Sequence, residues 1–175
     1  MSARGQRTSR SPAAASHRAV AASLPPFERV IGLHGPALLR FCVAQLGPAR
    51  AEDAFQETML SALRAYETVR DPGSVRAWLF SIAARKAIDA HRARARAPEP
   101  VEEIESLAGA EEVAMRDDAL WGRVRALPDK QRQAVTLRFA GDLSHAEIAA
   151  VMAISEAAAR RNVFEGLNRL RKDGE

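Results

Sequence analysis

Leu143-Ser144-His145-Ala146-Glu147-Ile148-Ala149-Ala150-Val151-Met152-Ala153-Ile154-Ser155-Glu156-Ala157-Ala158-Ala159-Arg160-Arg161 is the stretch on which the fold turns. It predicts two short helices joined by a tight turn, the second with cations on its outer face. Ser144 and Glu147 have capping-box spacing, in which the hydroxyl and the carboxylate each satisfy an orphan amide of the first turn. Ile148, Val151 and Met152 recur on one face. Ala153-Ile154-Ser155 interrupts that pattern, and Ser155 can cap a second helix whose first turn holds Glu156, the sign the macrodipole favours. At 3.6 residues per turn, Ala159, Val163, Leu167 and Leu170 share one side, while Ala157, Arg160, Arg161, Phe164 and Asn168 cluster opposite. Ala149 and Ala153 are small enough for a close crossing. A helix-turn-helix presents its second helix to the major groove in this way. Arg160 and Arg161 suit guanine edges or phosphates, and Phe164 a thymine methyl or a sugar. A helical hairpin with a merely solvated basic face fits the same stretch, so the rest of the chain has to decide.

The chain has 175 residues, 47% of them apolar and 27% charged, enough for a real core. It shows no apolar run near the roughly 20 residues a membrane-spanning helix needs. Cys42 is the single cysteine, which excludes an internal disulfide, and its neighbours Phe41 and Val43 suggest a core position. A reducing, cytoplasmic setting fits. The net charge of +4 hides an uneven distribution. Residues 1–23 carry four arginines and no acid; residues 98–120 carry eight acids against Arg116 alone. Two basic bodies therefore flank an acidic strip, a pattern of polyanion-binding parts separated by a solvating segment.

Residues 1–23, rich in Ala, Ser and Arg, read as a disordered basic tail. After Pro25-Pro26, helical segments are expected around Phe27, Val30 and Ile31 and, past Gly35-Pro36, through Leu38, Leu39, Phe41, Cys42 and Leu46 to Gly47-Pro48. A cleaner helix follows from Ala51 to about Glu67, with Phe55, Met59, Leu63 and Tyr66 expected inside and Glu52, Asp53, Gln56, Glu57 and Arg64 outside. Asp71-Pro72-Gly73-Ser74 is a turn, and a long helix from Val75 to about Ala95 carries Trp78, Leu79 and Ile82. Pro98 and Pro100 open the acidic linker, 98–116. Helicity resumes near Asp117 through Trp121, Val124 and Leu127; Pro128 then suits the start of a helix ending near Gly141. No alternating strand pattern competes. The predicted class is all-α, with two small helical domains (24–97 and 117–175) joined by the acidic linker, the second ending in the helix-turn-helix.

Four collinear motifs carry a wider resemblance. Phe27-Glu28 with His34-Gly35-Pro36-Ala37-Leu38-Leu39-Arg40, then Ala51-Glu52-Asp53-Ala54-Phe55-Gln56-Glu57-Thr58, then Arg76-Ala77-Trp78-Leu79-Phe80-Ser81-Ile82-Ala83 with Asp89, and Leu127-Pro128-Asp129-Lys130-Gln131-Arg132 before the hairpin occur in this order. Together they resemble a sigma-70-type RNA polymerase sigma factor of the small extracytoplasmic-function group, over roughly residues 27–96 and 117–172.

The resemblance implies a transcription initiation factor whose partners are core RNA polymerase, promoter DNA and, in some relatives, an anti-sigma factor. It implies that Asp53, Gln56 and Glu57 meet the polymerase core. Their spacing by itself makes one polar patch, suited to a basic partner helix or to plain solvation. For the melted −10 element it implies the turn from Arg70 to Val75 and the outer face of the following helix, with Arg70, Ser74, Arg85 and Arg92 as contacts. For the duplex −35 element it implies Ser155, Glu156, Ala157, Arg160, Arg161 and Phe164. Two departures stand out. Relatives commonly carry Asn where this chain has Arg85, and basic residues near Asn162, Glu165, Leu167 and Asn168, so an unusual or relaxed promoter preference is expected. The acidic linker matches a segment that relatives thread near the polymerase active site.

No enzyme is expected, and neither a cofactor, a metal nor a small-molecule substrate. His17, His34, His91 and His145 are scattered, and no glycine loop cradles a phosphate. Direct membrane insertion is not expected either. Two alternatives remain at this stage: a sigma-like decoy that sequesters an anti-sigma factor, and a stand-alone helix-turn-helix regulator.

Overall fold

A computed structural model describes residues 24–96 and 118–172, which form seven α-helices and two single 3-10 turns and no strand. The expected tail (1–23) and acidic linker (98–116) lie outside the described residues. The helices are α1 (Phe27–Leu46), α2 (Pro48–Ala65), α3 (Val75–Arg96), α4 (Asp118–Ala126), α5 (Asp129–Phe139), α6 (His145–Met152) and α7 (Glu156–Lys172).

Helix α1 is continuous where the sequence suggested separate segments. Pro36 lies inside it and cannot donate to the carbonyl of Gly32, a loss that ordinarily kinks or breaks a helix. Gly32 is exposed, so water can take that carbonyl, and the buried run Leu38, Phe41, Cys42 and Val43 holds the remaining turns in the core. Gly47, at φ 79°, makes the corner into α2 in a region closed to most side chains. Pro48 begins α2 three residues earlier than expected, at the first-turn position where a missing N–H costs nothing.

The inner face of α2 differs from its expected composition. Ala51, Ala54, Thr58 and Ala62 are the buried residues, with Phe55 and Met59 partly covered. Leu63 is 55% exposed. The physical reason is close packing: small side chains let α2 approach α1 and α3, and this rotates the bulky leucine outward. Glu52, expected outside, is half-buried.

Apolar residues of both halves merge into one cluster. Phe41 and Phe80 stack edge to face with centroids 5.6 Å apart, an arrangement worth about 0.5–1.5 kcal/mol beyond area burial. The same cluster holds Leu137, Leu143, Ile148, Ala159 and Val163. Helix α1 packs on α4 and α5, and α3 packs on α6. A smaller cluster of Val30, Ala62, Val75 and Leu79 is covered by Phe27, Tyr66 and Trp78, and the Tyr66 hydroxyl donates to the Pro25 carbonyl at 2.6 Å.

Within the second half, Arg132 joins α4 to α5. Its guanidinium donates to the Arg125 carbonyl at 2.9 Å and to Asp129 at 2.6 Å, and the residue is only 8% exposed. Burying a guanidinium is costly unless it is paired and hydrogen-bonded in this way.

Candidate polymerase and promoter interfaces

Asp53, Gln56 and Glu57 are all exposed on the outer side of α2. They share that side because the alanine face turns inward. Glu57 also accepts an ion pair from Lys86 of α3 at 3.1 Å, so it ties two helices of its own half together while facing outward. Leu60, 54% exposed, sits one turn beyond Gln56 and Glu57. Sequence reading missed it; a leucine on the side opposite a small-residue face was the available signal. The result is an apolar knob ringed by acid and amide groups, a surface suited to a partner helix carrying cations.

The turn before α3 is locked by its own polar atoms. Asp71 Oδ1 accepts from the Gly73 amide at 2.9 Å, and Ser74 Oγ donates to the Asp71 carbonyl at 2.8 Å. Ser74 is half-buried and spends its proton on the turn. Arg70 is exposed just ahead of it. Along α3, Arg85, Asp89 and Arg92 lie exposed on one stripe. Arg92 reaches Asp89 only at 4.0 Å, a loose contact that a nucleic acid phosphate can displace. From Ser74 to Arg92 this surface runs roughly 27 Å at 1.5 Å per residue. Trp78 is half-buried with its ring 6.2 Å from that of Tyr66, so it belongs to packing rather than to this surface.

The hairpin has the expected geometry at its caps. Ser144 Oγ accepts from the Glu147 amide at 3.2 Å while Glu147 Oε2 accepts from the Ser144 amide at 2.7 Å. The turn passes through Ala153 in the left-handed region, φ 52° and ψ 47°, where its amide and that of Ile154 return to carbonyls of α6. Ser155 Oγ then accepts from the Ala158 amide at 3.2 Å, which starts α7. Ala159, Val163 and Gly166 face inward. Ala157, Arg160, Arg161 and Phe164 are exposed, Phe164 at 63%. Leu167 and Leu170, expected inside, are half-buried. Arg160 is held by Glu156 through Nη2 at 2.6 Å; such an exposed pair is worth about 0.2–1 kcal/mol and leaves the remaining guanidinium N–H groups for a base edge or phosphate.

Two residues near the end of α7 are engaged with α5. Glu165, though exposed, accepts from Gln131 Nε2 at 3.0 Å, so its carboxylate reaches back to α5. Asn168 is half-buried and lines the same shallow groove with Gln131 and Arg169. The signal missed was Gly166: a Cβ there would meet Val135 Cγ2 at 2.6 Å, so α5 and α7 cross at this point, beside Glu165 and Asn168. Among the described residues, no group of His, Cys, Asp or Glu is placed to hold a metal. Cys42 is buried, which pushes its thiol up to about 12 and keeps it from reacting.

An all-helical chain with an acidic patch on one helix, a cationic stripe on the next and a terminal helix-turn-helix defines a DNA-directed protein with a further protein partner. Comparison with known proteins specifies which. Residues 30–97 match the family model for sigma-70 region 2, and residues 117–170 that for sigma-70 region 4. The extracytoplasmic-function (ECF) RNA polymerase sigma factor SigD of Mycobacterium tuberculosis is 33% identical over 169 residues, covering 89% of this chain and 80% of that protein. ShbA of Streptomyces griseus, also an ECF RNA polymerase sigma factor, is 31% identical over 173 residues, covering 89% and 91%. Among solved structures, RpoE of Bartonella quintana, determined with the anti-sigma factor NepR, superposes with a TM-score of 0.67 at 23% identity over 83% of this chain and 94% of that one. CnrH, determined with the cytosolic domain of CnrY, gives 0.62 at 24% identity over 83% and 85%. The chain belongs to the sigma-70 family of RNA polymerase sigma factors, in its ECF group. It is a transcription initiation factor that binds core RNA polymerase and promoter DNA.

Proposed function

We propose a division of labour among the three surfaces. The outer side of α2, with Asp53, Gln56 and Glu57 around Leu60, docks on the polymerase core. Arg70, Ser74, Arg85 and Arg92 take the extruded strand of the −10 element, whose unstacking has to be offset by new contacts. Ser155, Glu156, Ala157, Arg160, Arg161 and Phe164 meet the −35 duplex. The observation that carries this reading is the exposure of Arg160, Arg161 and Phe164 on α7, while Ala159 and Val163 of the same turns are buried. The 24–97 and 117–175 halves act as the two promoter-reading units. The factor supplies recognition and no catalysis of its own, and it works where polymerase and chromosome are, in the cytoplasm. Since RpoE was determined with the anti-sigma factor NepR, an anti-sigma factor is the natural further partner.

Run-off transcription with purified core polymerase and a promoter library tests the assignment. Specific start sites are expected with the unaltered chain. Gln56→Arg should sharply reduce them by setting a cation between Asp53 and Glu57 in the docking patch, without touching the Glu57–Lys86 ion pair that serves stability. A chain that binds duplex promoter DNA yet ignores core polymerase would instead be a stand-alone regulator. One that binds an antagonist and yields no transcript would be a decoy.

A further inference from the structure

Arg85, Ile88, Asp89 and Arg92 recur on α3 at intervals of three and four residues, which sets them on one face, and all four are exposed. Their chemistry is mixed. Arg85 pairs with no acid among the described residues, although Asp89 stands one turn further on; Asp89 is met only by Arg92, at 4.0 Å. Ile88 is 40% exposed on a helix whose other large apolar side chains are buried or half-buried. Neither the leucine-like bulk of Ile88 nor the acid suits a surface that merely holds phosphates. A carboxylate there repels the strand unless it accepts from a base, and an apolar ledge is idle unless a base lies on it.

An extruded base shows all its edges, because no pairing partner covers them. A guanidinium needs two adjacent acceptors for a bidentate contact, whereas an ionised carboxylate can only accept. Guanine meets both demands on separate edges: O6 and N7 are adjacent acceptors, and N1–H and the N2 amine are adjacent donors. Adenine sets a donor amine beside N7, and thymine has no two adjacent acceptors. Cytosine crowds its donor and acceptors onto one narrow edge, while Arg85 and Asp89 stand a helical turn apart, roughly 5–6 Å between Cβ atoms.

We propose that Arg85, Ile88 and Asp89 select one extruded guanine of the −10 element: the base lies on Ile88, Arg85 donates to O6 and N7, Asp89 accepts from N1–H and the N2 amine, and Arg92 takes the adjoining phosphate. This rests on the −10 assignment above and extends it to Ile88 and Asp89, which have no part in it there. It also gives the stripe a base preference, which positive charge alone does not.

Holoenzyme made from core polymerase and the full chain tests it in two stages. Run-off transcription from a library randomised through the −10 element should show one position that prefers guanine by about tenfold, as one bidentate pair supplies. Binding is then measured on a probe whose −10 segment is left unpaired, so that melting does not enter. There 7-deazaguanine, which lacks the N7 acceptor, and hypoxanthine, which lacks the N2 amine, should each bind about fivefold more weakly than guanine, the worth of one hydrogen bond. Arg85→Asn should erase the 7-deazaguanine effect, keep the hypoxanthine effect and move the preference toward adenine, whose N6 and N7 suit an amide. Asp89→Ala should do the converse, erasing the hypoxanthine effect alone. A change that only weakened the helix would lower binding of every probe alike and leave both analogue effects in place, which overturns the proposal. Selection of another base, or of none, overturns it too. An unaltered chain that gives no start sites would fail the promoter assignment itself, whereas start sites without the guanine signature fail the base assignment alone.

Discussion

Gln45 of α1 donates its amide hydrogen to Thr136 Oγ1 of α5 at 2.7 Å, across 91 positions of chain and with both side chains buried. Thr136 in turn donates to the Arg132 carbonyl one turn back, so a single hydroxyl satisfies its own helix and the opposite half. Gln45→Ala removes the donor but leaves Thr136 its helix bond. The expected cost is about 1–2 kcal/mol, a lost buried hydrogen bond plus a small void. A urea titration followed by tryptophan fluorescence, which reports both Trp78 and Trp121, checks it; an unchanged midpoint would show that water replaces the amide.

Gly166→Ala should destabilise although alanine is the better helix former. The new methyl would meet Val135 Cγ2 at 2.6 Å and Gln131 Cβ at 3.4 Å. Overpacking of this kind costs about 1–3 kcal/mol, against roughly 1 kcal/mol gained in propensity. Thermal unfolding should therefore show a lower midpoint, with the loss relieved by Val135→Ala in the same chain.

Ala153→Gly should do the opposite. Alanine in the left-handed region costs about 1–2 kcal/mol, and glycine returns part of that as extra freedom of the unfolded chain. A net gain of about 0.5–1 kcal/mol is expected, with −35 binding unaltered because the turn keeps its shape. Equilibrium unfolding together with duplex titration separates the two effects.

These positions mark how far the residues alone revealed the structure. Helix identities, the capping box, the cap at Ser155 and the outward set of α7 follow from local chemistry, because periodicity and caps act within one or two turns. Leu63, Glu165 and the course of α1 through Pro36 did not, because each is decided by a neighbour distant in sequence: the close approach of α2 to α1 and α3, the crossing of α5 over Gly166, and the shared core beneath Leu38 and Phe41. The contact between the two halves is of the same kind. Nothing local to Asp142 signals that Arg76 will meet it 66 positions away, and the acidic linker suggested separation of the halves rather than contact.

Acid should weaken the packing of α3 on α5 through His91. Burial lowers the pKa of this histidine, Arg132 of α5 and Arg50 of α2 lower it further, and Asp129 of α5 and the Gln45 carbonyl of α1 act in the raising direction. The group is thus neutral in the packed state and titrates nearer its ordinary value of about 6.5 once released. A lowered folded value means that stability is fully present above that ordinary value and declines as pH falls from it toward the folded one. His34, lowered by burial and by Arg76, acts in the same sense within its own half. Urea midpoints should therefore fall between pH 7.5 and pH 5, and His91→Gln should flatten part of that fall. A profile unchanged by the substitution would remove His91 from the pH dependence of stability.

Arg160 and Arg161 should prove unequal in promoter binding. Arg160 is tied to Glu156 at 2.6 Å, an arrangement that fixes where its guanidinium points from the first turn of α7, whereas Arg161 is exposed and makes no ion pair among the described residues. A guanidinium oriented in advance loses less freedom on reading a base, so Arg160→Ala should cost about 1–3 kcal/mol and relax sequence preference at one position. Arg161→Ala should weaken all duplexes alike and lower the salt slope by roughly one. Glu156→Gln tests the orientation itself: it removes the ion pair while keeping an acceptor, and should reduce discrimination between promoter variants more than overall affinity. Titration of the intact factor with matched and mismatched −35 duplexes at several salt concentrations checks all three. Equal salt slopes and equal discrimination for the two arginine variants would refute the distinction.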